Sequence, residues 1–327
     1  MIRQLRDHFQ KSGVALKILV TGGAGFIGSH VVDCLVSAGH QVSVYDNLTT
    51  GKVDNIPARV ILHRADILDP QALSLAFAKE QPELVCHLAA QIDVRKSIEG
   101  PVSDAMSNVI GSINVIEAAL AGGTKRIVYA NSGGAIYGDV VPDELPAIEE
   151  TSISPLSPYG VSKYVVEQYL EMYAQVRQLE YTSLRLPNVY GPRQDPTGEA
   201  GVIAIFLRKM LADEPITVFG DGKSSRDYTY VSDVAAAFLK SASLPGRNVF
   251  NIGTGVGTTV LELVSMLSRA TGFDREPDFV PPRVGEVAKI SLDATHASNE
   301  LGWRPLINIE TGLSQTAAYY ASQVEKN

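Results

Sequence analysis

Two rhythms of apolar and polar positions alternate through the first half of the chain. Short stretches with strand-like apolar positions fall at 16–21, 41–46, 59–63, 83–89, 125–131 and 181–186 and read as strands. Between them, apolar positions recur at helical spacing near 25–39, 70–80, 101–121 and 157–179. Strand and helix in alternation predict an α/β fold: a doubly wound parallel sheet with helices on both faces. The rhythm breaks at the turn-rich stretch Gly191-Pro192-Arg193-Gln194-Asp195-Pro196. Helices are then expected near 201–213, 231–243, 258–271 and 309–323, with a short strand at 216–219 and a turn at Gly220-Asp221-Gly222. This half predicts a smaller α/β domain that binds the substrate over the carboxyl ends of the strands. The expected division is 15–187 for the large domain and mainly 188–327 for the small one, behind a polar extension at 1–14. A stretch within 224–253 returns a strand to the large domain.

The first strand runs directly into Thr21-Gly22-Gly23-Ala24-Gly25-Phe26-Ile27-Gly28-Ser29-His30, where glycines stand three apart and a helix begins inside the glycine segment. Glycine lets a backbone turn tightly and come close to a pyrophosphate, and free N–H groups at the helix start face its charge. The second strand ends on Asp46. An acid there can accept both adenosine ribose hydroxyls and repels a 2′-phosphate, and no Arg or Lys follows until Lys52. The large domain is therefore expected to be a Rossmann domain that binds NAD rather than NADP.

Charge and composition narrow the field. The 327 residues carry a net charge of -8 with no basic block, which argues against nucleic acid or an anionic membrane as partner. Cys34 and Cys86 fit buried thiols, and neither a disulfide framework nor metal-ligand spacing is present. Residues 1–14 lack the apolar core of a secretory signal, and no run approaches the roughly 20 apolar residues of a membrane span. The expectation is a soluble, cytoplasmic protein without a metal.

The chemistry concentrates in Ser157-Pro158-Tyr159-Gly160-Val161-Ser162-Lys163. Tyr159 and Lys163 stand four apart at a helix start, so both side chains share one face. A free phenol, with a pKa of about 10, is a poor base at neutral pH. A nearby ammonium and a positive nicotinamide ring would both favour the phenolate. That pair is the expected acid–base centre.

Together these stretches resemble the extended short-chain dehydrogenase/reductase family. The resemblance extends to Tyr45-Asp46-Asn47-Leu48, His87-Leu88-Ala89-Ala90, Asn188-Val189-Tyr190-Gly191-Pro192-Arg193, Arg226-Asp227-Tyr228 and Arg283-Val284-Gly285-Glu286-Val287. Within the family the chain looks most like NAD-dependent nucleotide-sugar epimerases of the UDP-glucose 4-epimerase type. The resemblance implies that Gly22, Gly25, Phe26, Ile27 and Gly28 hold the pyrophosphate, and Asp46 and Asn47 the adenosine ribose. It puts Asp66 and Ile67 beside the adenine, and Leu88, Ala89 and Ala90 near the nicotinamide ribose, which Lys163 also bonds. It implies Asn188, Arg226 and Arg283 at the UDP diphosphate and Glu286 at the uridine ribose. Helices near 101–121 and 157–179 form a homodimer interface in similar enzymes.

One departure stands out. Where the family carries a catalytic Ser or Thr, this chain has Gly133, in Asn131-Ser132-Gly133-Gly134-Ala135-Ile136-Tyr137-Gly138. Ser132, one position early, could supply the hydroxyl; a water or a backbone N–H could serve instead, leaving Ser132 a loop cap. Sugar dehydratases of the family need an Asp-Glu pair next, and Gly134 and Ala135 stand there. Elimination is disfavoured, and inversion at C4 of a UDP-sugar through a 4-keto intermediate is expected. UDP-N-acetylglucosamine and UDP-glucuronate stay open beside UDP-glucose, as does a net reductase. Ile290 sits where similar epimerases set room for an N-acetyl group. Leu186 stands where a tyrosine is common, and Arg95 lies on a loop the family places near the sugar.

Overall fold

A computed structural model describes residues 15–197, 201–282 and 287–324. The chain divides into two compact units. The first takes the residues up to Ser132, with Ser157–Arg185 and Ala235–Phe250; the second takes Gly133–Leu156, Leu186–Val234 and Asn251 onward. The stretch Gly133–Leu156, read from sequence as part of the large domain, thus packs with the second unit.

The first unit is built on β1 (Lys17–Thr21), β2 (Gln41–Asp46), β3 (Ile61–Arg64), β4 (Leu84–His87), β5 (Arg126–Ser132) and β6 (Glu180–Leu186). Ile18, Leu19, Val20, Leu84, Val85 and Cys86 are essentially inaccessible, as expected of strands covered on both faces. β1 pairs in parallel with β2 and β4, β2 with β3, and β4 with β5. Helices Phe26–Ser37, Pro70–Glu80, Gly111–Ala121 and Pro158–Arg177 connect the strands. The order reverses at β1, between β4 and β2, which creates the crevice where open sheets of this kind bind ligands.

The expected helix at 101–121 is not uniform. It runs as Pro101–Ala105, a π-helical turn Met106–Ile110, then Gly111–Ala121. The π turn is confined to five residues, too few for the apolar periodicity of the segment to reveal it. A separate helix, Val94–Glu99, precedes it, capped by Asp93 accepting from Lys96 N.

In the second unit lie β7 (Asn188–Tyr190), β8 (Thr217–Phe219) and β9 (Ser225–Tyr230). β10 (Arg247–Asn251) instead extends the large sheet beside β6, completing the order β10-β6-β5-β4-β1-β2-β3. The stretch 224–253 therefore supplies one strand to each sheet. β11 (Gly257–Thr259) and β13 (Lys289–Ile290) flank β9, while β12 (Asp278–Val280) pairs with β8. Helices Val202–Leu211, Val260–Thr271 and Ile309–Val324 enclose a core of Ile203, Leu207, Leu263, Leu267 and Leu313.

Candidate active site

The glycine segment closes on itself at the end of β1. Gly22 has φ +70°, and a Cβ there would lie 2.7 Å from Ala89 N; a Cβ on Gly28 would lie 2.0 Å from Gly22 O. Only glycine fits either position. Gly25, Phe26 and Ile27 remain partly exposed at the helix start. Asp46 is nearly buried and already employed: Oδ2 accepts from Ala24 N at 2.9 Å and Oδ1 from Leu48 N at 2.8 Å. It pins the turn to β2, and its oxygens keep acceptor capacity for hydroxyl donors. Asn47 Nδ2 donates to Asp66 Oδ2 at 2.8 Å, while Ile67 is buried against Gly111. A cradle that a Cβ would fill, beside an acid at the end of β2, fits an NAD pyrophosphate and ribose.

A buried polar chain fixes the segment after β4. The Ser112 hydroxyl donates to Asn108 O, so it accepts from His87 Nε2–H at 2.8 Å. His87 Nδ1 then accepts from the Thr21 hydroxyl at 2.7 Å, and Thr21 Oγ1 accepts from Leu88 N and Ala89 N. These directions require a neutral imidazole. Burial, with the Lys163 charge adding, lowers the His87 pKa to about 3.

The helix Pro158–Arg177 starts on Ser157, whose hydroxyl accepts from Gly160 N, with Pro158 at its first position. This sets Tyr159 and Lys163 beside the end of β5. Lys163 Nζ donates to Ala130 O at 2.9 Å and lies 4.9 Å from the Tyr129 ring centre and 5.9 Å from that of Tyr159. Ser132, at the end of β5, is near enough to the Tyr159 phenol to favour its ionised form. The phenol is held up at about 12, first by burial; Ser132 works against this, and the Asp104 charge adds to it. Burial brings Lys163 down to about 8, opposed by Asp104. The expected lowering of Tyr159 is therefore not produced by the side chains around it; among them, Ser132 is the group that favours the phenolate.

Sequence reasoning missed the support beneath this pair. Asp104, 1 % exposed, accepts from Ser162 Oγ, Gln91 Nε2 and Asn108 Nδ2 at 2.7–2.9 Å. On the next turn Glu167 pairs with Arg185 at 2.6 Å, both buried. An arginine between Leu184 and Leu186 on an expected buried strand was the available signal, because a charge there needs a partner.

In the second unit, Asn188 opens β7, and a Cβ on Gly134 would lie 3.4 Å from its Oδ1. Arg226 on β9 is cross-strand neighbour to Ile290 on β13, which is buried. Leu186 is buried at the end of β6, and Arg95 is exposed on Val94–Glu99. Arg283 and Glu286 lie outside the described residues. Among the described residues no cluster of metal-ligating side chains occurs, and no helix is long and apolar enough to cross a membrane.

Residues 18–253 match the model of the NAD dependent epimerase/dehydratase family. The chain belongs to that family. Among its members, the UDP-glucose 4-epimerase of Mycolicibacterium smegmatis is 40% identical over 314 residues, covering 94% of this chain and 99% of that protein. The Thermotoga maritima UDP-glucose 4-epimerase, solved with UDP-glucose, superposes with a TM-score of 0.92 at 47% identity, covering 94% of this chain and 99% of that one. The Thermus thermophilus UDP-glucose 4-epimerase, solved in complex with NAD, gives a TM-score of 0.88 at 42% identity, covering 93% of this chain and 98% of that one. These epimerases span almost the whole chain, so the family assignment embraces both units.

Proposed function

We infer that the protein is an NAD-dependent epimerase that inverts C4 of a UDP-sugar, interconverting UDP-glucose and UDP-galactose. The observation that carries this is the Tyr159 phenol with Lys163 alongside and Ser132 favouring its phenolate, in a chain at 40–47% identity to UDP-glucose 4-epimerases. The N-acetylated and uronate alternatives have less behind them, because the relatives at 40–47% identity are UDP-glucose 4-epimerases. Dehydration has no acid or base at Gly134 and Ala135.

In this reading Gly22, Gly25, Phe26, Ile27 and Gly28 hold the NAD pyrophosphate, with Asp46 and Asn47 at the adenosine ribose and Asp66 and Ile67 at the adenine. Leu88, Ala89, Ala90 and Lys163 hold the nicotinamide ribose. Bound NAD supplies a reversible hydride acceptor for C4, and its positive ring favours the Tyr159 phenolate. Tyr159 takes the proton of the sugar 4-hydroxyl, and Ser132 steadies that oxygen. Asn188, Arg226, Arg283 and Glu286 grip UDP, so the 4-keto sugar can turn within the pocket while staying attached. Once the turned 4-keto carbon has been reduced on its opposite face, Tyr159 returns the proton to the 4-oxygen.

A cytoplasmic homodimer belongs to the same proposal. Val102, Met106, Ile110, Val161 and Val176 are 41–77 % exposed on helices that pack together, the 101–121 segment and Pro158–Arg177. A second copy would cover them.

The test is incubation of purified protein with UDP-glucose, UDP-N-acetylglucosamine or UDP-glucuronate, without added cofactor, read by NMR. UDP-galactose should form and NADH should not accumulate; a 4-keto-6-deoxy product would overturn the assignment. Tyr159→Phe should lower kcat by about 10²–10⁴-fold while retaining NAD.

A further inference from the structure

We propose that Asn131 is a positioning residue that aims the Ser132 hydroxyl at Tyr159, with its own side chain set by the buried Arg185–Glu167 ion pair. The proposal rests on the reading of Ser132 as the hydroxyl partner of Tyr159.

Asn131 is 2 % exposed at the end of β5. Its Nδ2 donates to Glu167 Oε2 at 2.7 Å, and its Oδ1 accepts from Ser132 N at 2.8 Å. The orientation of this amide is not free. Arg185 donates to Glu167 through Nε at 3.2 Å and through a terminal nitrogen at 2.6 Å, and the Ser183 hydroxyl donates to Oε2 at 2.7 Å. A carboxylate paired with a guanidinium accepts, so the amide must turn its NH₂ toward Glu167. Its oxygen is thereby left for the Ser132 N–H.

That bond fixes the peptide plane entering Ser132, and with it the direction of the Ser132 Cα–Cβ bond. Control of this plane matters here because the next residue is Gly133, with no hydroxyl of its own to offer. The residue type is also specified. An aspartate at 131 would set a second carboxylate against Glu167, and serine or alanine cannot reach both Glu167 and the Ser132 N–H. Asn131 bonds neither Tyr159 nor Lys163 among the described residues, so its effect must pass through Ser132.

The test is a double-mutant cycle on the NAD-loaded protein with UDP-glucose: Asn131→Ala, Ser132→Ala and the pair. Coupled residues give non-additive effects, independent ones add. Ser132→Ala should lower kcat about 10²-fold and Asn131→Ala about 10-fold, with KM and retained NAD unchanged. In the Ser132→Ala background, Asn131→Ala should cost no more than about twofold. An Asn131→Ala loss that stays about 10-fold in that background, or that falls on KM or NAD retention, would overturn the proposal. Should Ser132→Ala leave kcat unchanged, the catalytic reading of Ser132 falls first, which separates the two failures. Asn131→Ser, which retains a small polar group, runs through the same cycle if Asn131→Ala does not fold, and the same criteria decide.

Discussion

Lys163 and Ala130 are joined by a bond of 2.9 Å from the ammonium to the carbonyl oxygen, which holds a positive charge in an interior where the lysine is 4 % exposed. The side chain proposed to serve the reaction is therefore one that the fold bears at a cost.

That cost has a sign and a window. The native pKa of Lys163 is lowered from 10.5 to about 8, chiefly by burial, so between pH 8 and 10.5 the unfolded chain holds a proton that the native chain has released. Stability should rise with pH across that window, and below pH 8 the full penalty, about 3 kcal/mol, applies. Lys163→Met should abolish epimerisation yet raise Tm at pH 7, and should flatten the rise in stability between pH 8 and 10.5. Thermal unfolding at pH 7 and 9.5 checks this; a lower Tm for the variant would mean that the bond to Ala130 outweighs the desolvation.

His87 behaves in the opposite pH range. Its pKa falls from 6.5 to about 3, so its contribution is complete above pH 6.5 and is lost as pH drops toward 3, where the unfolded chain binds the proton. Between pH 7 and 5 this one group should remove about 2 kcal/mol of stability. His87→Asn should be less stable at pH 7 but should lose correspondingly less between pH 7 and 5. Urea unfolding at the two pH values measures the difference.

Much of this was legible in the chain before any coordinates. The apolar runs around Leu19, Val85 and Val128 announce buried parallel strands, and the Tyr159–Lys163 spacing places two side chains on one helical face. The three-residue strands β7, β8, β11 and β12 were not all legible, because three residues carry no period. The support of the site was hidden for another reason. Asn131 and Glu167 are 36 residues apart, and Glu167 and Arg185 are 18 apart, so their meeting depends on how β5, β6 and the intervening helix pack. Spacing along one element cannot disclose a contact between three.

Two glycines separate backbone freedom from cofactor approach. Gly39 has φ +95° and an added Cβ would meet nothing within 4 Å, whereas a Cβ on Gly28 would lie 2.0 Å from Gly22 O. Gly39→Ala should cost about 1–2 kcal/mol of stability from its left-handed backbone and keep its NAD. Gly28→Ala should emerge from gel filtration without nicotinamide, read by absorbance and by enzymatic assay of the denatured extract. Equal NAD content in the two variants would mean that the turn does not seat the pyrophosphate.

Arg185 and Glu167 test the support from the other end. Removing one member of a buried pair leaves the other charge uncompensated, typically at about 3–5 kcal/mol, whereas replacing both with apolar groups of similar volume is often neutral. Arg185→Leu should therefore be strongly destabilised in urea, and Arg185→Leu combined with Glu167→Met should recover most of that loss. Rate should not follow stability. With Glu167 gone, the Asn131 amide loses the acceptor that orients it, so the double variant should fold well and still turn over UDP-glucose about 10-fold more slowly. Full recovery of kcat along with stability would reduce the ion pair to a structural element and detach it from the Tyr159 site.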